Sequence, residues 1–121
     1  MKPITLWDGK KNARNGYDHS NYTLIQFTGE ELGTWGMTFD DNDTRGVTYT
    51  IFRTETGSII VHRHEWSRWQ GEGDYAKVYE FASLDAAAER YRTILENAGV
   101  ISRRVVSLAE WREWNKHQPS T

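Results

Sequence analysis

Hydrophobic and polar positions alternate with a period near two along much of the chain up to Ala82, and then switch to helical spacing. Tyr22 to Thr28 is a run of β-tolerant residues, and Thr34 to Phe39 puts Trp35, Met37 and Phe39 on one face. Gly29 to Gly33 between them has turn composition. Val47 to Thr54 sets Val47, Tyr49 and Ile51 against Thr48, Thr50 and Phe52. The turn Glu55-Thr56-Gly57 returns the chain antiparallel through Ser58 to Trp66, with Ile59 and Val61 on one face and Ile60, His62, His64 and Trp66 on the other. After a Trp-rich turn, Asp74 to Phe81 completes about five strands.

Ser83 then caps a helix with Asp85 in its first turn. Leu84, Ala87, Ala88, Tyr91, Ile94, Leu95 and Ala98 form its apolar stripe, and Gly99 ends it. An extended stretch from Val100 to Val106 leads to a capping box at Ser107 to Glu110, which predicts a short helix over 107–116. Trp111 and Trp114 lie on one face of that helix, as core-packing residues do. Residues 1–20 have loop chemistry and are expected as an irregular arm, with Ile4 to Trp7 pinned to the sheet, and the tail from His117 is expected to fray. The pattern predicts a single domain of α+β class: an antiparallel sheet of about five strands over 22–82 in meander order, one helix over 83–99 packed on a face, and a short C-terminal helix.

The 121 residues suffice for one core without staples. There is no cysteine, which removes disulfides, thiolate metal sites and a thiol nucleophile and suits a reducing cytoplasm. No apolar stretch reads as a secretory or membrane segment, so a cytoplasmic protein without membrane contact is expected. The net charge of −2 lacks the basic balance of a non-specific nucleic-acid binder. Six Trp and six Tyr are the one unusual feature, and they can build a small core or anchor an interface.

Candidate chemistry gathers near the Trp-rich turn. His62 and His64, two apart on a strand, point the same way and could converge on a metal, but a third ligand is not evident and no cofactor is expected. Asp40 to Asp43 has hard oxygen ligands, yet Ile51 stands where a calcium loop needs its final Glu, so an acidic hairpin turn is expected. Glu65, Glu72, Asp74 and Glu80 lie near Trp side chains but show no sign of the paired carboxyls that glycoside hydrolysis needs. No nucleophile elbow, Walker loop or dinucleotide fingerprint occurs, and an enzyme is not expected. The remaining cluster, Trp66, Arg68 and Trp69 with His62, His64, Arg53 and Arg63, combines the residue types that anchor interfaces with those that stack bases and pair phosphates.

Around this cluster the chain resembles a WGR-type domain, the sheet-plus-helix module of some poly(ADP-ribose) polymerases and stand-alone bacterial proteins. The resemblance covers roughly Trp35 to Gly99: the strand hairpin Val47 to Trp66, Trp66-Ser67-Arg68, a Gly-bearing turn, Lys77 to Phe81, and Ser83-Leu84-Asp85-Ala86-Ala87. Ser67 stands for the motif's middle Gly, Gln70 for a later Gly, and Ala98 where a Lys is usual. The resemblance implies that architecture, and nucleic-acid binding at Trp66 and Arg68. Composition points instead to a macromolecular protein partner, with nucleic acid as the alternative and a His-based metal site or hydrolase as the third.

Overall fold

The structure, a computed structural model, describes residues 1–11, 21–69 and 72–116. They form β1 (Lys2–Lys11), β2 (Asn21–Thr38), β3 (Arg45–Thr54), β4 (Ile59–Ser67), β5 (Asp74–Phe81), α1 (Leu84–Asn97) and α2 (Leu108–Lys116). The strands are an antiparallel meander, and the fold is α+β with two helices. None of the described helices is long and apolar enough to cross a membrane.

The sheet also closes on itself, because Gly9, Lys10 and Lys11 of β1 pair with Ala76, Tyr75 and Asp74 of β5. Five strands in a ring, each antiparallel to both neighbours, cannot close while straight, since a circuit reverses direction an odd number of times. One strand must turn. β2 does so: Asn21 to Gly29 pairs with β1, whereas Gly29 to Thr38 pairs with β3, and the register slips between Glu31 and Gly33. Glycine and a bulge are the usual devices at such a corner. Gly29 is buried so tightly that a Cβ would press into the Arg53 carbonyl.

Closure gives the sheet two apolar faces. Ile4, Leu6, Phe52 and Ile60, with Phe27 and Val78, fill the inside. Ile51, Ile59 and Val61 face outward and are covered by Ala87, Ala88 and Leu95 of α1. The helical stripe is as its spacing predicts, since all seven of its residues lie in this outer cluster. Ser83 Oγ accepts the Ala86 N–H at 3.1 Å, and Gly99 follows the helix at φ +76°. Tyr91 departs from helical geometry where its ring meets Tyr49, Tyr79 and Phe81.

Three expectations need correction. Over Lys2–Lys11 the supposed irregular arm is a strand; Ile4 and Leu6 alternate with exposed Pro3 and Thr5, a period that Pro3, Asp8 and Gly9 disguise. Residues 12–20 and 117–121 lie outside the described residues, so the rest of that arm and the frayed tail do too. The strands expected at Tyr22 to Thr28 and Thr34 to Phe39 are one bent strand, because Gly29 and Gly33 mark a corner and not a turn. Finally, α2 buries nothing: Trp111 and Trp114 are 49 % and 60 % exposed, and residues 102–107 before it are neither helix nor strand.

Candidate functional site

The end of β4 carries most of the residues singled out by sequence, and the period of two sorts them. Ile60, His62, His64 and Trp66 share the inner side, as alternation requires. His62 is only 8 % exposed, and its Nε2 lies 2.9 Å from the Trp7 carbonyl oxygen. A carbonyl can only accept, so Nε2 carries the proton and the ring is held as that neutral tautomer. Burial pushes its pKa below the ordinary 6.5, outweighing the favourable carbonyl contact.

His64 sits nearer the mouth, its Nε2 2.9 Å from Asp74 Oδ2. The Trp7 indole stands edge-on to both imidazoles, with ring centres 6.4 and 5.3 Å apart. Lys11 Nζ lies 4.6 Å from the Trp7 ring and 4.9 Å from that of Tyr22. His62 and His64 therefore belong to the packing of β1 against the barrel. Among the described residues no three His, Asp or Glu side chains converge on a point where a metal could sit.

The turn after β4 is held by side chains. Arg45 forms a two-pronged pair with Glu72, Nε to Oε1 at 2.9 Å and Nη2 to Oε2 at 2.5 Å. Ser67 Oγ donates to the same carboxylate and accepts from the Trp69 N–H. Asp74 Oδ1 accepts from the Ser67 N–H while Oδ2 holds His64. The Arg45 and Ser67 hydrogen bonds lower the Glu72 pKa to about 2. One position beyond the last β3–β4 pair, Arg45 with Ser67, the Arg68 N–H donates to the Thr44 carbonyl, which sets the turn beside the Asp40 to Asp43 loop. Asp40 is engaged in that loop, accepting from the Thr44 N–H and hydroxyl, and these bonds lower its pKa.

This construction displays aromatic surface. Phe39, Trp69 and Tyr75 are 53 %, 52 % and 47 % exposed, and Trp66 is half-buried over Gly46. Phe39, Trp66 and Tyr75 surround a shallow pocket of about 140 Å³ whose polar lining is Arg45, Glu65, Ser67 and Glu72. The guanidinium of Arg68 lies 5.4 Å from the Trp66 ring, and that of Arg45 5.8 Å from Trp69. Arg68 makes no ion pair among the described residues, whereas Arg45 and Glu65 are both paired.

Trp66, Arg68 and Trp69 are thus brought together, and the other predicted residues are not. Arg63 lies on the face of β4 opposite Trp66, outside the pocket lining but bonded to its Glu65, and to Tyr49 Oη at 3.0 Å. Arg53 pairs with Glu30 at 3.6 Å, at the far end of β3. Seven strand positions separate it from Gly46, which Trp66 covers, or about 23 Å. Arg45, Glu72, Phe39 and Tyr75 were missed as site residues. The only hint in the sequence was the antiparallel pairing that brings the start of β3 beside the end of β4. Glu65, Glu72, Asp74 and Glu80, weighed as hydrolytic carboxylates, are engaged by Arg63, Arg45, His64 and Ser58 respectively.

Compared with models of protein families, with curated proteins and with solved structures, the chain gives no match.

Proposed function

We propose that this chain is a cytoplasmic, non-catalytic binding module that engages another protein through the mouth of the barrel. The supporting observation is the pocket rimmed by Phe39, Trp66 and Tyr75, with exposed Trp69 beside it and its charged lining already paired internally. Such a surface has apolar area to offer and little free charge, which suits a protein interface anchored by aromatic side chains. Met37, 48 % exposed and paired with Val47 on β3, extends it. The paired carboxylates and the carbonyl-bound His62 favour binding over catalysis.

Nucleic acid is the alternative, supported by Arg68 stacked on Trp66 without an ion pair among the described residues, and by the WGR-like motif. Against it, the exposed Asp41 and Asp43 lie in the loop beside Arg68 and would repel a phosphate backbone. The test combines affinity capture with anisotropy on labelled single-stranded and duplex DNA, for wild type and for the Trp69→Ala/Tyr75→Ala and Arg68→Ala variants. A protein partner should stay bound through a rise to about 0.5 M salt, where exposed charges are screened, and be lost by the double variant. Salt-sensitive DNA binding abolished by Arg68→Ala would replace this proposal with the nucleic-acid one.

A further inference from the structure

The five joins of the barrel are unequal. The β1–β2, β2–β3 and β3–β4 ladders each run through nine paired positions and β4–β5 through seven, whereas the β1–β5 ladder has three among the described residues. It stops at Gly9 and Ala76, and side chains take over. Asp8 Oδ2 accepts the Val78 N–H at 2.8 Å, and Asp8 Oδ1 lies 3.7 Å from Lys77 Nζ. His62 reaches from β4 to occupy the Trp7 carbonyl, a group that a continuing ladder would have used. The part of the barrel behind this seam is β1 with the first half of β2, which is joined to the remainder at the Gly29 to Gly33 corner.

We propose that β1 and the first half of β2 form an acid-released flap, hinged at the β2 corner, whose clasp is the His62 imidazole on the Trp7 carbonyl. A protonated His62 requires hydration that the closed barrel does not provide. The least costly way to supply water is to part the β1–β5 join beyond Gly9 and Ala76, where side-chain bonds stand in for ladder pairs, which also frees the Trp7 carbonyl. Opening would lift Ile4, Leu6 and Phe27 from Phe52, Ile60 and Val78, so the inner apolar face becomes the exposed one.

The surroundings set the sign. Lys11 and His64 face His62 as positive or potentially positive groups, and Asp8 opposes them while shared with Lys77. His64 is tied to Asp74, β3 places uncharged Thr50 opposite His62, and β2 contributes Tyr22 against Trp7. Burial dominates, so the closed state holds its proton less well than the open one. Fewer protons bound in the closed state means closure is fully favoured above the ordinary imidazole value of 6.5 and weakens as pH falls below it.

Amide hydrogen exchange read by NMR, corrected for intrinsic rates, tests this at pH values of about 7.5 and 5.5, on either side of the ordinary imidazole range. Protection of the Leu6 to Lys11 amides should fall at the lower pH, by up to about tenfold, the limit that one group of ordinary pKa 6.5 sets a unit below it, while that of Ile51 and Val61 in β3 and β4 changes less than about twofold. In His62→Gln, whose amide can still donate to the Trp7 carbonyl but takes no proton, β1 protection should be the same at both pH values; His64→Gln, which leaves the His62–Trp7 bond in place, should still lose β1 protection at the lower pH whatever its absolute level. Equal loss in all five strands, or an unchanged pH dependence in His62→Gln, overturns the proposal. Should that variant not fold, the wild-type His62 ring titration decides: its midpoint must coincide with that of the β1 exchange transition, and separate midpoints overturn the clasp.

Discussion

At the scale of the residue, the site depends on a few tight approaches. Gly46 is one, buried beneath the Trp66 ring. A Cβ there would stand 2.5 Å from the Met37 carbonyl oxygen and 2.7 Å from Trp66 Cε2. Gly46→Ala should therefore lose about 1–3 kcal/mol, the usual range for forced overpacking, measured by urea unfolding, and should shift the emission of the displaced indole. Glu72 makes a different prediction. Its folded pKa of about 2 lies below the unfolded value, so its pairing stabilises the turn above the ordinary carboxylate range and is lost only as pH falls through about 2. Emission from Trp69 should accordingly stay flat between about pH 7 and 4 as far as this clamp governs it, whereas Glu72→Gln should change it already at neutral pH. An unchanged spectrum in that variant would show that Arg45 and Ser67 hold the turn without the carboxylate. At this scale the sequence was half legible. Alternation put His62 and His64 on one face correctly, but nothing in their own strand says whether that face meets water or another strand. That depended on β1, whose Ile4 and Leu6 period is interrupted by Pro3 and Asp8-Gly9. The pairing of Arg45 with Glu72 spans 27 residues and leaves no local trace.

At the scale of the element, the two helices differ in what they are for. α1 places Leu95 at zero exposure against the outer face of the sheet, and Leu95→Ala should cost about 2–5 kcal/mol through lost burial and the cavity left behind. Trp114→Ala removes a larger side chain yet should alter stability by no more than about 0.5 kcal/mol, because the indole is exposed on α2. Thermal melts of the two variants side by side check both, and a Trp114 variant as unstable as the Leu95 one would mean that α2 is docked. The stripe of α1 was readable because seven positions at helical spacing repeat the same signal. Trp111 and Trp114 carried an equally apolar signal, and spacing alone cannot distinguish a helix face that is buried from one left open. β2 was misread for a related reason: Gly29 and Gly33 mark backbone that approaches other backbone closely, and a corner inside a strand uses the same residues as a turn between two.

For the whole molecule, the sheet-and-helix architecture followed from local patterns, whereas its closure is a parity property of five strands together. No single strand encodes it. The same ring joins the two proposed features: one end of β4 carries Trp66 of the aromatic surface, and four and two positions earlier His62 bonds the Trp7 carbonyl of β1 and His64 packs against the Trp7 indole. Asp74 touches both, holding His64 with one oxygen and the Ser67 N–H with the other.

The unequal joins also impose an order of assembly. Gly9 and Ala76, the most widely separated pair of the β1–β5 ladder, are about 67 residues apart in the chain, so that ladder carries the largest loop-closure entropy of the five. At translation rates of roughly 5–20 residues per second, β1 leaves the ribosome about 3–13 s before β5 exists to receive it. Through that interval it can pair with β2 and no more, and its other edge is an open template for strands of neighbouring chains. Pro3 on that strand lacks an amide hydrogen, and Lys2, Lys10 and Lys11 bring charge to it. Those are the features that blunt a strand edge against association, and in this barrel they protect a state that exists only before the ring is complete.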